Sequence, residues 1–181
     1  APGKILYKLS PRMEVLYDQT LDVLDSKLSY NRYRAIGHLI PEKKLKYQNA
    51  DRVSSQLARI MRTMLLKRLD SSFHAFTRSL CRFRDTTQAM VTMFENGRIY
   101  IAPELNVSEY IIEGREDELA ALIAELQVDD PTIEVCTTED FEKSFLIGLQ
   151  QDLSILSETC EAWLAVDEDP KVEEFIRRLK S

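Results

Sequence analysis

Eight basic side chains, Arg52, Arg59, Arg62, Lys67, Arg68, Arg78, Arg82 and Arg84, stand between positions 52 and 84, with Asp70 as the one acid among them. At 100° per residue, Arg52, Arg59, Lys67, Arg78 and Arg82 fall broadly on the face opposite a Leu/Met/Phe stripe, and Arg62, Lys67 and Arg68 flank that stripe. A row of cations without neutralising acids repels itself, so it usually meets an anion or an acidic protein surface. The chemistry on offer is anion binding rather than bond making. Nucleic-acid phosphates are one candidate. The acidic half of the same chain is the other: residues 1–84 hold 17 Lys and Arg against 7 Asp and Glu, and residues 85–181 hold 7 against 23.

Catalytic signatures are missing. The glycines, Gly3, Gly37, Gly97, Gly114 and Gly148, are isolated, so no Gly-rich loop is present to cradle a nucleotide phosphate. Neither a G-x-S-x-G nor an H-E-x-x-H motif occurs. Glu116-Asp117-Glu118 sits at an expected helix start, where negative charge favours the helix dipole, and reads as structural. His74 has Arg78, not a second ligand, at i+4. Phe73, Phe76 and Phe83 at helical spacing read as core rather than as base-stacking platforms, and Trp163 also reads as core. Tyr30, Tyr33 and Tyr47 lie among Arg32, Arg34, Lys43, Lys44 and Lys46, an interleaving that suits either gripping a nucleic-acid backbone or anchoring a loop.

These side chains need long helices to position them. Of 181 residues, 44% are apolar and 30% charged, enough for a real core in one ordinary domain or two small ones. Five Gly and six Pro are few, which favours helix over sheet. Ser10-Pro11 starts an amphipathic helix running to about Ser29. A short helix is expected near 31–39, then a loop. From Asn49 or Asp51 an apolar stripe runs through Val53, Leu57, Ile60, Met61, Met64, Leu65 and Leu69 to Phe83. Asp70-Ser71-Ser72 is where this run either breaks into two helices or continues unbroken to Phe94. Strands are expected at 98–102 and 132–136, a short extended piece at 110–112, and a helix after Gly114. Thr137 and Asp140 form a capping box opening a long helix to about Val166, with Phe141, Phe145, Leu149, Leu153, Leu156, Cys160, Trp163 and Leu164 inward. Asp169-Pro170 caps a last helix carrying Val172, Phe175, Ile176 and Leu179. The fold class is therefore mainly α: a multi-helix domain with long antiparallel helices and a minor β element near 98–102 and 132–136. The charge division suggests a basic helical part, 1–95, and an acidic α-rich part, 96–181.

No apolar run approaches the ~18–20 residues that span a bilayer, and Ala1-Pro2-Gly3-Lys4 does not open a signal peptide. Cys81, Cys136 and Cys160 are scattered and odd in number, which reads as three reduced thiols in a cytoplasmic protein without a zinc site.

The string Gln56-Leu57-Ala58-Arg59-Ile60-Met61-Arg62-Thr63-Met64-Leu65-Leu66-Lys67-Arg68-Leu69-Asp70-Ser71-Ser72, followed by Phe73-His74-Ala75-Phe76 and Ser79-Leu80, resembles a stretch between the two RecA-like ATPase lobes of bacterial Swi/Snf-like helicases of superfamily two. Asp70 stands where that family pattern has Glu. Leu9-Ser10-Pro11 with Leu16-Tyr17-Asp18 resembles the segment that follows the first lobe. Asp169-Pro170-Lys171 with Phe175 and Leu179 looks like the helix just before the second lobe. Residues 96–165 match no part of the family pattern. The resemblance implies that the chain is the inter-lobe region of a larger enzyme that uses ATP and Mg to move on duplex DNA or to remodel protein–DNA complexes. It implies no cofactor in this region itself. The residues it singles out are Arg59, Arg62, Lys67 and Arg68, which would contact DNA phosphate or a flanking lobe; Arg78 and Arg82 join them from the charge pattern. A stand-alone protein-interaction module, docking through acidic helices at 115–126 and 139–166, is the rival expectation. A small independent enzyme lacks any convergent nucleophile, base and metal set.

Overall fold

Ser10 cannot be helical and still use its hydroxyl as a cap. It stays extended and accepts the Met13 N–H, while Pro11 takes the first helical position, whose N–H has no acceptor in any case. Helix α1 (Pro11–Asp22) starts there and runs on into a π-helical turn, Val23–Lys27, closed by Leu28 N–H donating to Val23 O at 3.0 Å. In the computed structural model, which describes residues 8–47, 49–101 and 134–180, a 3₁₀ helix (Asn31–His38) and a single turn, α2 (Pro41–Lys44), follow. The long apolar run then breaks in two. Helix α3 (Ala50–Ser71) ends where Ser72 turns extended, at φ −156° and ψ 121°. Ser72 in turn accepts the Ala75 N–H and caps α4 (Phe73–Glu95). A serine hydroxyl competing for backbone groups is the physical cause of the break.

After α4 the chain turns at Gly97, at φ +73°, a conformation that suits glycine. Strand β1 (Ile99–Ile101) pairs antiparallel with β2 (Glu134–Cys136), Ile99 facing Cys136. The extended piece expected at 110–112 and the helix expected after Gly114 lie outside the described residues. Thr137 and Asp140 do form a capping box, but it closes a 3₁₀ turn, Thr138–Asp140, rather than opening the long helix. The backbone is diverted because Phe141 pairs with Leu39 in an isolated bridge. Glu142 N–H donates to His38 O at 2.8 Å, and Ile40 N–H to Asp140 O at 2.9 Å. Helix α5 (Lys143–Leu164) therefore begins later than expected. Helix α6 (Pro170–Leu179) is capped as expected, by the Asp169 carboxylate accepting from Lys171 N and Val172 N.

The mainly helical class follows from this order of elements. The long helices α4 and α5 are antiparallel: Phe76 meets Trp163 at one end and Phe94 meets Phe145 at the other. One core cluster gathers Met13, Leu24, Leu28, Leu65, Leu69, Phe73, Phe76, Leu80, Leu156 and Trp163. A second gathers Leu39, Met90, Phe94, Ile99, Phe141, Phe145 and Leu149. Trp163 anchors the first, fully buried, with its indole N–H donating to Thr20 Oγ1 at 2.8 Å. Leu164 was expected inward but is 62% exposed, because it stands 100° round the helix from Trp163.

The cysteines correct the sequence expectation of three reduced thiols. Cys81 of α4 and Cys160 of α5 are joined in a disulfide across 79 residues, and Cys136 is buried beside β1. Spacing along the chain carries no hint of this pair, since only the α4–α5 packing brings the two together. Among the described residues, no helix is long and apolar enough to cross a membrane.

Candidate nucleic-acid interface

Helix α3 is pinned by its inner row. Ser54, Ala58, Met61, Leu65 and Leu69 are buried at steps of four and three, which turns Arg52, Arg59, Thr63 and Lys67 outward. Thr63 Oγ1 donates back to Arg59 O at 2.9 Å, so its one hydroxyl proton is already used within the helix. Arg59, Ile60, Thr63, Met64, Lys67, Arg68 and Ser71 line one open groove of about 500 Å³. Its apolar part is supplied by Ile60 and Met64, and its rim is cationic.

The six residues singled out by sequence do not form a single patch. Arg59, Lys67 and Arg68 share the α3 groove. Arg68 reaches across to α4 and donates to Ser79 Oγ, so it also ties the two helices together. Arg62 faces elsewhere and pairs with Asp25 of the π-helical turn at 3.2 Å. Arg78 and Arg82 lie one turn apart on α4 in a second groove of about 410 Å³, with His74, Thr77, Cys81, Asp85 and Leu164. Arg59 and Lys67 are exposed, and among the described residues neither has an ion pair or a side-chain hydrogen bond. That combination is what a phosphate contact needs: a cation whose charge no nearby carboxylate consumes.

The Tyr/Arg/Lys interleaving at 30–47 is mostly a set of anchors. Tyr30 is buried, stacks on Phe83 at 5.7 Å and donates its hydroxyl to Leu24 O at 2.8 Å. Burial pushes its phenol well above the ordinary range. Tyr33 also packs on Phe83, at 5.2 Å. Arg32 is buried, donates Nη1 to Thr86 O at 2.7 Å and lies over the Tyr33 ring; burial lowers its pKa. Lys43 pairs with Asp140 at 3.5 Å and Lys44 with Asp51 at 3.3 Å. The signal that separates these cations from Arg59 is carried by the fold: each is opposed by an acid or a carbonyl that is distant or unpatterned in sequence.

Sequence reasoning did not find the meeting point around Asp70. Tyr17 Oη donates to Asp70 Oδ1 at 2.5 Å. Lys171 Nζ donates to Leu69 O at 2.8 Å and to Asp70 O, with its ammonium 4.5 Å from the Phe73 ring centre. Ser10 Oγ donates to Glu168 Oε1 at 3.0 Å close by. An ammonium on the last carbonyls of α3 is favoured by the helix dipole. Among the described residues, no group of three or more His, Cys, Asp or Glu side chains is placed to hold a metal ion. Compared with protein-family models, curated proteins and solved structures, the chain matches none.

Proposed function

We propose that this chain is a helical connector between the two lobes of a helicase-like, DNA-dependent ATPase, and that the outer face of α3 contacts the phosphate backbone of duplex DNA. The observation that carries the connector reading is the convergence at Asp70. The three segments that carry the resemblance, 9–18, 56–80 and 169–179, are far apart in sequence. They touch one another through Tyr17, Leu69, Asp70 and Lys171. A connector needs its entering and leaving strands fixed to one rigid body, and Ser10 with Glu168 fixes them side by side.

In this reading the ATP and Mg chemistry belongs to the flanking lobes, and this chain alone hydrolyses no ATP. Helix α6 shows Val172, Phe175, Ile176 and Leu179 at 43–71% exposure, an apolar row suited to a lobe that would cover it. Such an enzyme works in the cytoplasm, where thiol buffers keep most disulfides open. The Cys81–Cys160 bond would then be a reversible one.

The test is a duplex-DNA titration of the 181-residue chain at two salt concentrations. Binding that weakens steeply with salt is expected, and Arg59→Gln with Lys67→Gln should reduce the log–log slope by about one per cation removed. Binding that is absent, or indifferent to salt, sinks the phosphate contact and favours a docking module for another protein.

A further inference from the structure

The disulfide is chemically lopsided. Cys160 Sγ is wholly buried between α5 and α4. Cys81 is half-buried and lines the open groove that also holds His74, Arg78, Arg82 and Asp85. An attacking thiolate must reach a sulfur from outside, and of the two residues only Cys81 is partly exposed and lines the groove. The sulfur that leaves is then Cys160. Arg84 Nη1 donates to it at 3.3 Å, and Arg84 is itself steadied by Asp85 at 2.8 Å. A guanidinium beside a departing thiolate stabilises the charge it gains.

We propose that Cys81 is a site of thiol exchange for small carboxylate-bearing thiols of the glutathione class, with Cys160 as leaving and resolving sulfur and Arg84 as its positioning cation. A thiolate RS⁻ bonds to Cys81 Sγ and the Cys81–Cys160 bond breaks, its electron pair going to Cys160 as thiolate. Cys160 then either returns to attack Cys81 and expels RS⁻, or takes a proton. In the second case a further RS⁻ attacks the outer sulfur of the mixed disulfide and leaves RSSR and a Cys81 thiol. The balance is one protein disulfide and two RSH giving two protein thiols and RSSR. Arg78, exposed on the same groove, favours a carboxylate-bearing thiol over a neutral one, and Asp85 on the far edge sets the orientation. The proposal does not rest on the DNA reading.

The experiment uses the whole chain purified without reductant, incubated with graded glutathione and glutathione disulfide, quenched by alkylation and mapped by peptide mass spectrometry. The expected start is a linked Cys81–Cys160 peptide. The expected intermediate carries glutathione on Cys81 and the alkyl group on Cys160. Opening by 2-mercaptoethanol at equal thiolate concentration should be several-fold slower, and added salt should remove the difference. Arg84→Gln should slow opening several-fold, and Arg84→Lys should restore most of the rate. Glutathione on Cys160, equal labelling of both sulfurs, or alkylation of both in the untreated native chain overturns the proposal. So does an unchanged rate in a folded Arg84→Gln chain. If that variant does not fold, the position of glutathione on the wild-type chain decides alone.

Discussion

Asp152 Oδ2 accepts the Asn31 backbone N–H at 2.8 Å, a bond that ties α5 to a turn 121 residues earlier in the chain. The other oxygen, Oδ1, accepts Ser29 N–H at 2.8 Å. The two bonds bracket Tyr30, which holds φ at +55°, an uncommon conformation for a bulky residue. An acid buried in an apolar helix face is thus the reason that the 3₁₀ helix can start where it does.

Asp152→Ala should therefore cost about 2–3 kcal/mol in urea melts, since the buried Asn31 N–H and the partly buried Ser29 N–H lose a charged acceptor at once. The pH dependence has a definite sign. Burial raises the Asp152 pKa above its ordinary 3.8, outweighing the Asn31 and Ser29 donors that lower it. An acid with a raised folded pKa binds its proton more tightly in the fold than in the open chain. Its contribution is most favourable below the ordinary value and declines as pH rises from there through the folded pKa. Asp152→Asn should flatten that decline when stability is followed across the acid range. It should also lower stability throughout, because one amide N–H₂ would face a backbone N–H. A decline that survives in the Asn variant would mean another group causes it.

Gly148 lies one turn before Asp152 and tests the same contact by shape. A Cβ built there meets Asn31 Nδ2 at 2.4 Å, inside any tolerable distance. Asn31 is buried, so its amide has little room to withdraw. Gly148→Ala would ordinarily favour a helix by roughly 1 kcal/mol. Here a net loss of about 1–3 kcal/mol is expected from overpacking. A rise in Tm would show that Asn31 moves aside freely.

Much of this frame was legible in the sequence, and the reasons differ from one element to the next. Ser10-Pro11, Ser72 and Asp169-Pro170 are local devices, where a hydroxyl or carboxylate competes for nearby N–H groups, so their residue types suffice. The inward rows of α3, α4 and α5 follow from helical periodicity. The start of α5 was misplaced because Thr137 and Asp140 satisfy each other locally whether or not a helix follows, and only the distant Leu39 and His38 backbone decides that it does not. The candidate site was half legible. Charge pattern located Arg59 and Lys67 but could not separate them from Arg62, whose Asp25 partner is 37 positions away and follows no helical spacing. The same holds for Cys81 with Cys160, whose pairing depends on the register of α4 against α5.

Opening the disulfide gives a stability change that can be set against chain-entropy arithmetic. A cross-link spanning 79 residues restricts the unfolded chain by about 4–5 kcal/mol at 25 °C. Cys81→Ser, which leaves the α4–α5 apolar contacts in place, should lower stability by about that amount or somewhat less. The Tm of the wild-type chain should fall to the variant's value when dithiothreitol is added. A wild-type Tm indifferent to reductant would show that the cross-link constrains nothing in the unfolded chain.

Lys171 gives the sharpest test of the junction at Asp70. Its ammonium closes the C-terminus of α3 on Leu69 O and Asp70 O, packs over Phe73, and sits in the first turn of α6. Desolvation lowers its pKa, a cost that the nearby Asp70 and Asp169 carboxylates offset in part. Lys171→Met keeps the aliphatic stem over the aromatic ring and removes only the charge and its donors. The expected loss is about 1–2 kcal/mol of overall stability, from unsatisfied carbonyls at a helix end. A larger local effect should appear in hydrogen exchange, with the amides of α6 and the last turn of α3 exchanging together and faster. Because α6 buries little else, those two segments should lose protection while the α4–α5 amides keep theirs. If α6 exchange is unchanged in Lys171→Met, the helix is held by its Asp169 cap and apolar contacts alone, and the junction does not transmit a displacement of α6 to α3.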